Sequence, residues 1–179
     1  ENGIPVTAQK LEGSAYSNDV CDIVVVLDRS VQTSQYNEAL ETALMEIAGS
    51  MEGKGTLTVV SSGSVPTTEY SGAPNNLGDF TVKALKTPVS ADCTTDLALR
   101  LAGNTLVNGE KKRAIIYLTG ASNLTHSSFL TYGLSDMVSY FNNNDISFYT
   151  VNLTQNVLPE EIIYMTEATD GDTLFVYRP

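Results

Sequence analysis

A chain of 179 residues, 42% of them apolar, is long enough to bury one full hydrophobic core, and its composition excludes a disordered or collagen-like chain. Twenty-one acidic against ten basic residues leave a net charge of −11, which disfavours nucleic acid and anionic membrane surfaces as partners. No apolar run approaches the ~20 residues of a membrane span, so direct membrane insertion is excluded, and two cysteines are too few for a disulfide framework.

Residues 1–20 are polar and mixed and read as a lead-in or linker, with the folded domain over 21–179. The opening lacks the basic-then-apolar pattern of a signal peptide, which suggests either a signal already removed or a piece of a larger chain. Ile23 to Leu27 is a run of five apolar, mostly β-branched residues, the pattern of a strand buried on both faces. Asp28 stands at its carboxyl end. Tyr36, Ala39, Leu40, Ala43, Leu44, Ile47 and Ala48 follow helical spacing, with Ser34 as N-cap and Gly49 as stop.

Leu57 to Val60 predicts a second strand, Thr67 to Tyr70 a short edge strand, and Phe80 to Leu85 a short helix. A helix is expected from Asp96 to Leu106, a buried strand from Ala114 to Leu118, a helix from Ser128 to Phe141 and a strand from Ile146 to Val151. Pro159 followed by Glu160 and Glu161 suits a helix start, because proline fits the first turn and acids fit the positive end of the dipole. Thr173 to Tyr177 completes the set. Buried strands alternating with amphipathic helices predict an α/β, doubly wound, Rossmann-like fold. Its sheet should be mainly parallel and six-stranded, with helices on both faces and strand 23–27 near the centre. Ligands of such sheets sit at the carboxyl ends of the strands.

Asp22-Ile23-Val24-Val25-Val26-Leu27-Asp28-Arg29-Ser30 resembles the opening strand of a von Willebrand factor type A (VWA) domain, in which Asp-x-Ser-x-Ser is followed by an amphipathic helix. Ala98-Leu99-Arg100-Leu101-Ala102 is similar to the family's Ala-Leu-x-x-Ala helix, and Leu118-Thr119-Gly120-Ala121 stands where its Leu-Thr-Asp-Gly stands. The likeness covers about residues 20–178. It implies a protein-binding, adhesion-type module and not an enzyme. The Leu-Asp-Arg-Ser form of the strand is similar to that of large bacterial surface proteins, which implies an extracellular or cell-surface location.

The resemblance also implies a metal-ion-dependent adhesion site. There Mg²⁺ takes oxygen ligands from two Asp, two Ser and one Thr, and a partner's acidic group completes its shell. Asp28 and Ser30 keep the first two positions. Gln32 replaces the second Ser. Cys93 falls where the Thr belongs, with Thr94 one residue on, and Gly120 replaces the second Asp. One carboxylate is therefore gone, and a thiol is a poor partner for a hard ion. A degenerate site is expected, with no cofactor; Asp28, Ser30 and Thr94 would be the ligands if Mg²⁺ did bind. Asp92 or Asp96 supplying the missing carboxylate stays open as an alternative.

A second class of function is a haloacid-dehalogenase-like phosphotransferase with Asp28 as nucleophile and Thr119 as phosphate ligand. It lacks the second Asp two residues on, where Ser30 stands. Cys21 lies ~23 Å from Asp28 along an extended strand, whereas Cys93 belongs at the Asp28 end, so the two thiols are not expected to bond. His126 reads as a surface residue. Asn123-Leu124-Thr125 and Asn152-Leu153-Thr154 match the glycosylation acceptor pattern. Tyr70 in the variable loop is a candidate contact residue.

Overall fold

The computed structural model describes residues 20–109 and 111–176. The expected lead-in up to residue 19 and the end of the last strand at Tyr177 lie outside the described residues. Six strands form one sheet: β1 (Cys21–Asp28), β2 (Leu57–Ser62), β3 (Pro66–Gly72), β4 (Lys112–Thr119), β5 (Ile146–Asn152) and β6 (Thr173–Phe175). Their order is β3-β2-β1-β4-β5-β6. Only β3 runs antiparallel to its neighbour. The helices are α1 (Asn37–Ser50), α2 (Thr95–Leu106), α3 (Leu134–Asn143) and α4 (Glu160–Ala168). This is the doubly wound, mostly parallel α/β architecture that the alternation of buried strands and amphipathic helices predicts. No helix among the described residues is long and apolar enough to cross a membrane.

Alternation along β1 divides the core. Ile23, Val25 and Leu27 pack with Leu40, Leu44 and Ile47 of α1. Val24 and Val26 point the other way, into Leu99, Met137, Phe141, Ile162 and Met165 from α2, α3 and α4. All these side chains are at most 1% exposed, and burying each contributes roughly 1.5–3 kcal/mol. The α1 face is completed by the segment between β3 and α2, whose Leu77, Phe80, Val82 and Leu85 pack on the same cluster.

Local boundaries depart from the sequence reading where side chains capture backbone groups. Ser34 does not cap a helix: its hydroxyl donates to Val31 O at 2.6 Å, and Thr33–Tyr36 forms a 3-10 turn before α1 begins at Asn37. Gly49 lies inside α1, and the chain reverses at Glu52 and Gly53, with φ of 52° and 74°. The helix expected from Ser128 starts only at Leu134, because the Asp96 carboxylate accepts the Thr131 and Tyr132 amides at 2.8 Å and holds that stretch as a loop. The helix expected over Phe80 to Leu85 shrinks to one 3-10 turn, Val82–Ala84.

On the edge strand, Glu69 is the extra residue of a bulge opposite Val59 and Val60. Its carboxylate accepts the Lys86 and Thr87 amides at 2.9 and 3.2 Å and ties the following segment to the sheet. Tyr70 is not a free contact residue: it packs on the core and donates its hydroxyl to Ala73 O at 2.6 Å.

Candidate functional site: a carboxylate enclosed by hydroxyls

The parallel strands β1 and β4 are neighbours, paired through Leu27 and Leu118, so Asp28 and Thr119 leave the sheet side by side. Asp28 is 3% exposed, and its oxygens accept four hydrogen bonds. Oδ1 takes the Ser30 amide at 2.9 Å. Oδ2 takes the hydroxyls of Ser30 at 3.1 Å and of Thr33 and Thr119 at 2.6 Å each. Buried carboxylates require such donors, because desolvating an unpaired charge costs far more than a hydrogen bond returns.

Thr33 joins the pieces. Its hydroxyl donates to Asp28 and accepts the Gly120 amide at 3.0 Å, so the turn after β1 is fixed to the end of β4. Gln32 adds a second clasp: Oε1 accepts the Ser122 amide at 3.0 Å and Nε2 donates to Asn123 O at 3.4 Å. Gly120 lies against Tyr36, whose ring occupies the space that any side chain at position 120 would enter. Arg29 is 5% exposed and donates through Nε to Thr87 O at 3.3 Å. Burial lowers its pKa, against the raising effect of Glu69 and Asp28.

Of the residues singled out from sequence, Ser30 bonds Asp28 directly, Gly120 joins it through Thr33, and Gln32 holds Ser122 and Asn123 beside them. Thr94 does not join them. Its amide donates to Gly63 O at 3.0 Å and its hydroxyl to Ser64 O at 3.2 Å, turning it towards the β2–β3 connection. Cys93 is buried and borders a cavity of about 10 Å³ beside Asp28, also lined by Thr95, Tyr117, Thr119 and Ser128. That is room for about one water. The Cys93 thiol is pushed up to about 12 by burial, then by the charges of Asp28 and Asp92. Cys21 and Cys93 are not bonded to each other. Burial also raises the Tyr117 phenol well above its ordinary value, reinforced by Asp28.

Neither flanking acid takes the place lost at 120. Asp92 holds the Ser127 amide and hydroxyl at 2.9 and 2.7 Å, which lowers its pKa. Asp96 is fully buried, and its oxygens accept the amides of Leu97, Thr131 and Tyr132. Among the described residues no group of three or more His, Cys, Asp or Glu side chains is placed to hold a metal ion. These side chains do not fit a divalent cation. Asp28 brings a single carboxylate, its Oδ2 already takes three hydroxyls, and the Tyr36 ring fills the space beside Gly120.

Thr33 and Tyr36 are the participants that sequence reasoning missed. Thr33 is one residue beyond the expected hydroxyl position, and the only signal was its hydroxyl next to Gln32.

No family profile and no curated protein sequence matches the chain. Solved structures do. The VWA domain of SpRpn10 superposes with a TM-score of 0.64 at 11% identity, over 89% of this chain and 88% of that one. A von Willebrand factor type A protein from Catenulispora acidiphila gives 0.66 at 13% identity, over 90% and 39%. Proximal thread matrix protein 1 from the mussel byssus, with zinc in its adhesion-site motif, gives 0.66 at 16%, over 89% and 42%. The present chain therefore spans about two-fifths of the latter two proteins. The fold is that of a VWA-type domain.

Proposed function

We propose that this domain is a non-enzymatic, adhesion-type protein-interaction module that engages its partner through the loops around Asp28 without a metal ion. The observation that carries this reading is where apolar surface is left over. Of the seven exposed large apolar side chains among the described residues, five lie on loops at the carboxyl edge of the parallel strands: Val31, Val65, Val89, Leu130 and Val157. Val157 is 77% and Leu130 68% exposed. Apolar side chains gathered on one face mark interaction surfaces, and the edge is the one at which sheets of this class take ligands. The enclosed carboxylate beneath gives those loops a rigid floor. A secreted or cell-surface setting fits the resemblance of Leu27-Asp28-Arg29-Ser30 to surface-protein VWA strands.

The phosphotransferase reading is not favoured, since a nucleophile must reach its substrate. Asp28 is 3% exposed, and Thr119, the supposed phosphate ligand, donates to Asp28 itself.

The test places a photo-crosslinking residue at Val31, Leu130 or Val157, and for comparison at Tyr164 or Phe175, in the presence of cell-surface extract from the source organism. Adducts confined to the three loop positions and unchanged by chelator are expected. Adducts equally strong at Tyr164 or Phe175, or lost with chelator, would overturn the reading.

A further inference from the structure

The flank formed by α2 and α3 holds an arrangement that the loop edge does not use. Arg100 of α2 places its guanidinium carbon 4.0 Å from the ring centroid of Tyr140 and 4.9 Å from that of Tyr132. The Tyr140 ring and the Tyr132 backbone are each held in place. The Tyr140 phenol donates to Asn104 Oδ1, and its ring lies so close over Gly103 that a Cβ there would sit 2.5 Å from Cε2. Glycine weakens a helix interior, so helix strength is given up to seat the ring. Tyr132 is anchored through its amide to the fully buried carboxylate of Asp96 at 2.8 Å. Burial raises the Tyr140 pKa against the pull of Arg100.

None of these supports neutralises the cation. Arg100 forms no ion pair with any described residue; Lys54 and Glu52, elsewhere on the surface, do. In a chain with 21 acidic and 10 basic residues, an arginine held between two rings and left without an acid is an unspent binding group. A guanidinium is a planar fork of donors that matches a carboxylate, and stacking on aromatic rings leaves it charged. Tyrosine and arginine also dominate the energetic centres of protein interfaces, and rigid rings lose little conformational freedom on binding.

We propose that Arg100, Tyr132 and Tyr140 form a second docking site, which takes an aspartate or glutamate side chain of a protein partner. The guanidinium receives the carboxylate, and the two rings pack against the segment that carries it. A phosphoryl group, with up to two negative charges, would call for more than the single cation present. The site lies on the helix flank and stands independently of the loop-edge reading.

The probe is the capped peptide acetyl-Gly-Glu-Leu-Gly-amide, with its glutamine counterpart as control, titrated into isotope-labelled domain while the Arg100 Nε–Hε resonance is followed. A saturable shift with the glutamate peptide alone is expected. Arg100→Lys, which keeps the charge but loses the fork, should weaken binding about tenfold with an unchanged thermal midpoint. Tyr140→Leu should weaken it as well. Val31→Ser and Val157→Ser should leave the titration unaltered, so failure of the loop edge and failure of this site are separable. An equal response to the glutamine peptide, or unweakened binding by Arg100→Lys, would overturn the proposal. So would a shift of the same resonance on concentrating the domain alone, which would assign the site to a second copy.

Discussion

The Asp28 centre and the Arg100 flank each hold one charged group among rigid neighbours, and they treat it in opposite ways. Asp28 is enclosed: four hydrogen bonds reach its two oxygens, all from three residues that are themselves buried. Arg100 is positioned but not satisfied, with two aromatic rings against it and no acid. A charge whose hydrogen-bonding capacity is filled internally acts as a structural knot. A charge that is oriented and left open has its interaction energy still available for a partner.

The largest expected effect lies at the knot. Asp28→Ala should cost about 3 kcal/mol in urea unfolding at neutral pH, because the Thr33 and Thr119 hydroxyls and the Ser30 amide lose a charged acceptor in a buried setting. A cost below about 1 kcal/mol would mean that these donors find other acceptors, and the contrast with Arg100 would lose its basis.

On the flank, Gly103→Ala sets two effects against each other. The helix gains about 1 kcal/mol from alanine, while displacing the Tyr140 ring costs about 2 kcal/mol. A net loss of about 1 kcal/mol is expected. In a Tyr140→Ala background the sign should reverse, and a double-mutant cycle measures the difference. A gain from Gly103→Ala in the otherwise unaltered chain would show that the ring is not held as described.

The smallest effect concerns Glu69, the bulge residue. Burial pushes its carboxyl up, but hydrogen bonds from the Lys86 and Thr87 amides help bring it below the ordinary value. A folded-state pKa lower than the unfolded one adds stability above the unfolded carboxylate range, and that contribution fades as pH falls through the folded value. Glu69→Gln should therefore lower the urea midpoint slightly at pH 7, with the gap narrowing below about pH 4. Partial exposure keeps the difference small. A gap that does not change with pH would remove the charge from the explanation.

The strands and the layering were legible because they depend on long apolar runs. Ile23 to Leu27 and Ala114 to Leu118 read as buried strands, and they lie side by side at the middle of the sheet. What was not legible depends on single side chains reaching across the fold. Leu130 fits the helical stripe of 128–141, yet it is 68% exposed because Asp96, far away in sequence, takes the neighbouring amides. Asp28 and Ser30 were readable as the start of a VWA-like site. Thr33 was not, because the 3-10 turn that brings its hydroxyl inward shifts the expected hydroxyl position by one residue. Thr94 was placed by counting along the chain, and local hydrogen bonds to Gly63 and Ser64 turned it away.

The contact between Gly120 and Tyr36 couples two positions. Placing an aspartate at 120 by a single substitution would drive its side chain into the Tyr36 ring, while shrinking Tyr36 first would open a hole beside the core. Each change is therefore harmful until the other has been made. The ring acts as an interlock: a carboxylate can be engineered at 120 only together with a smaller residue at 36.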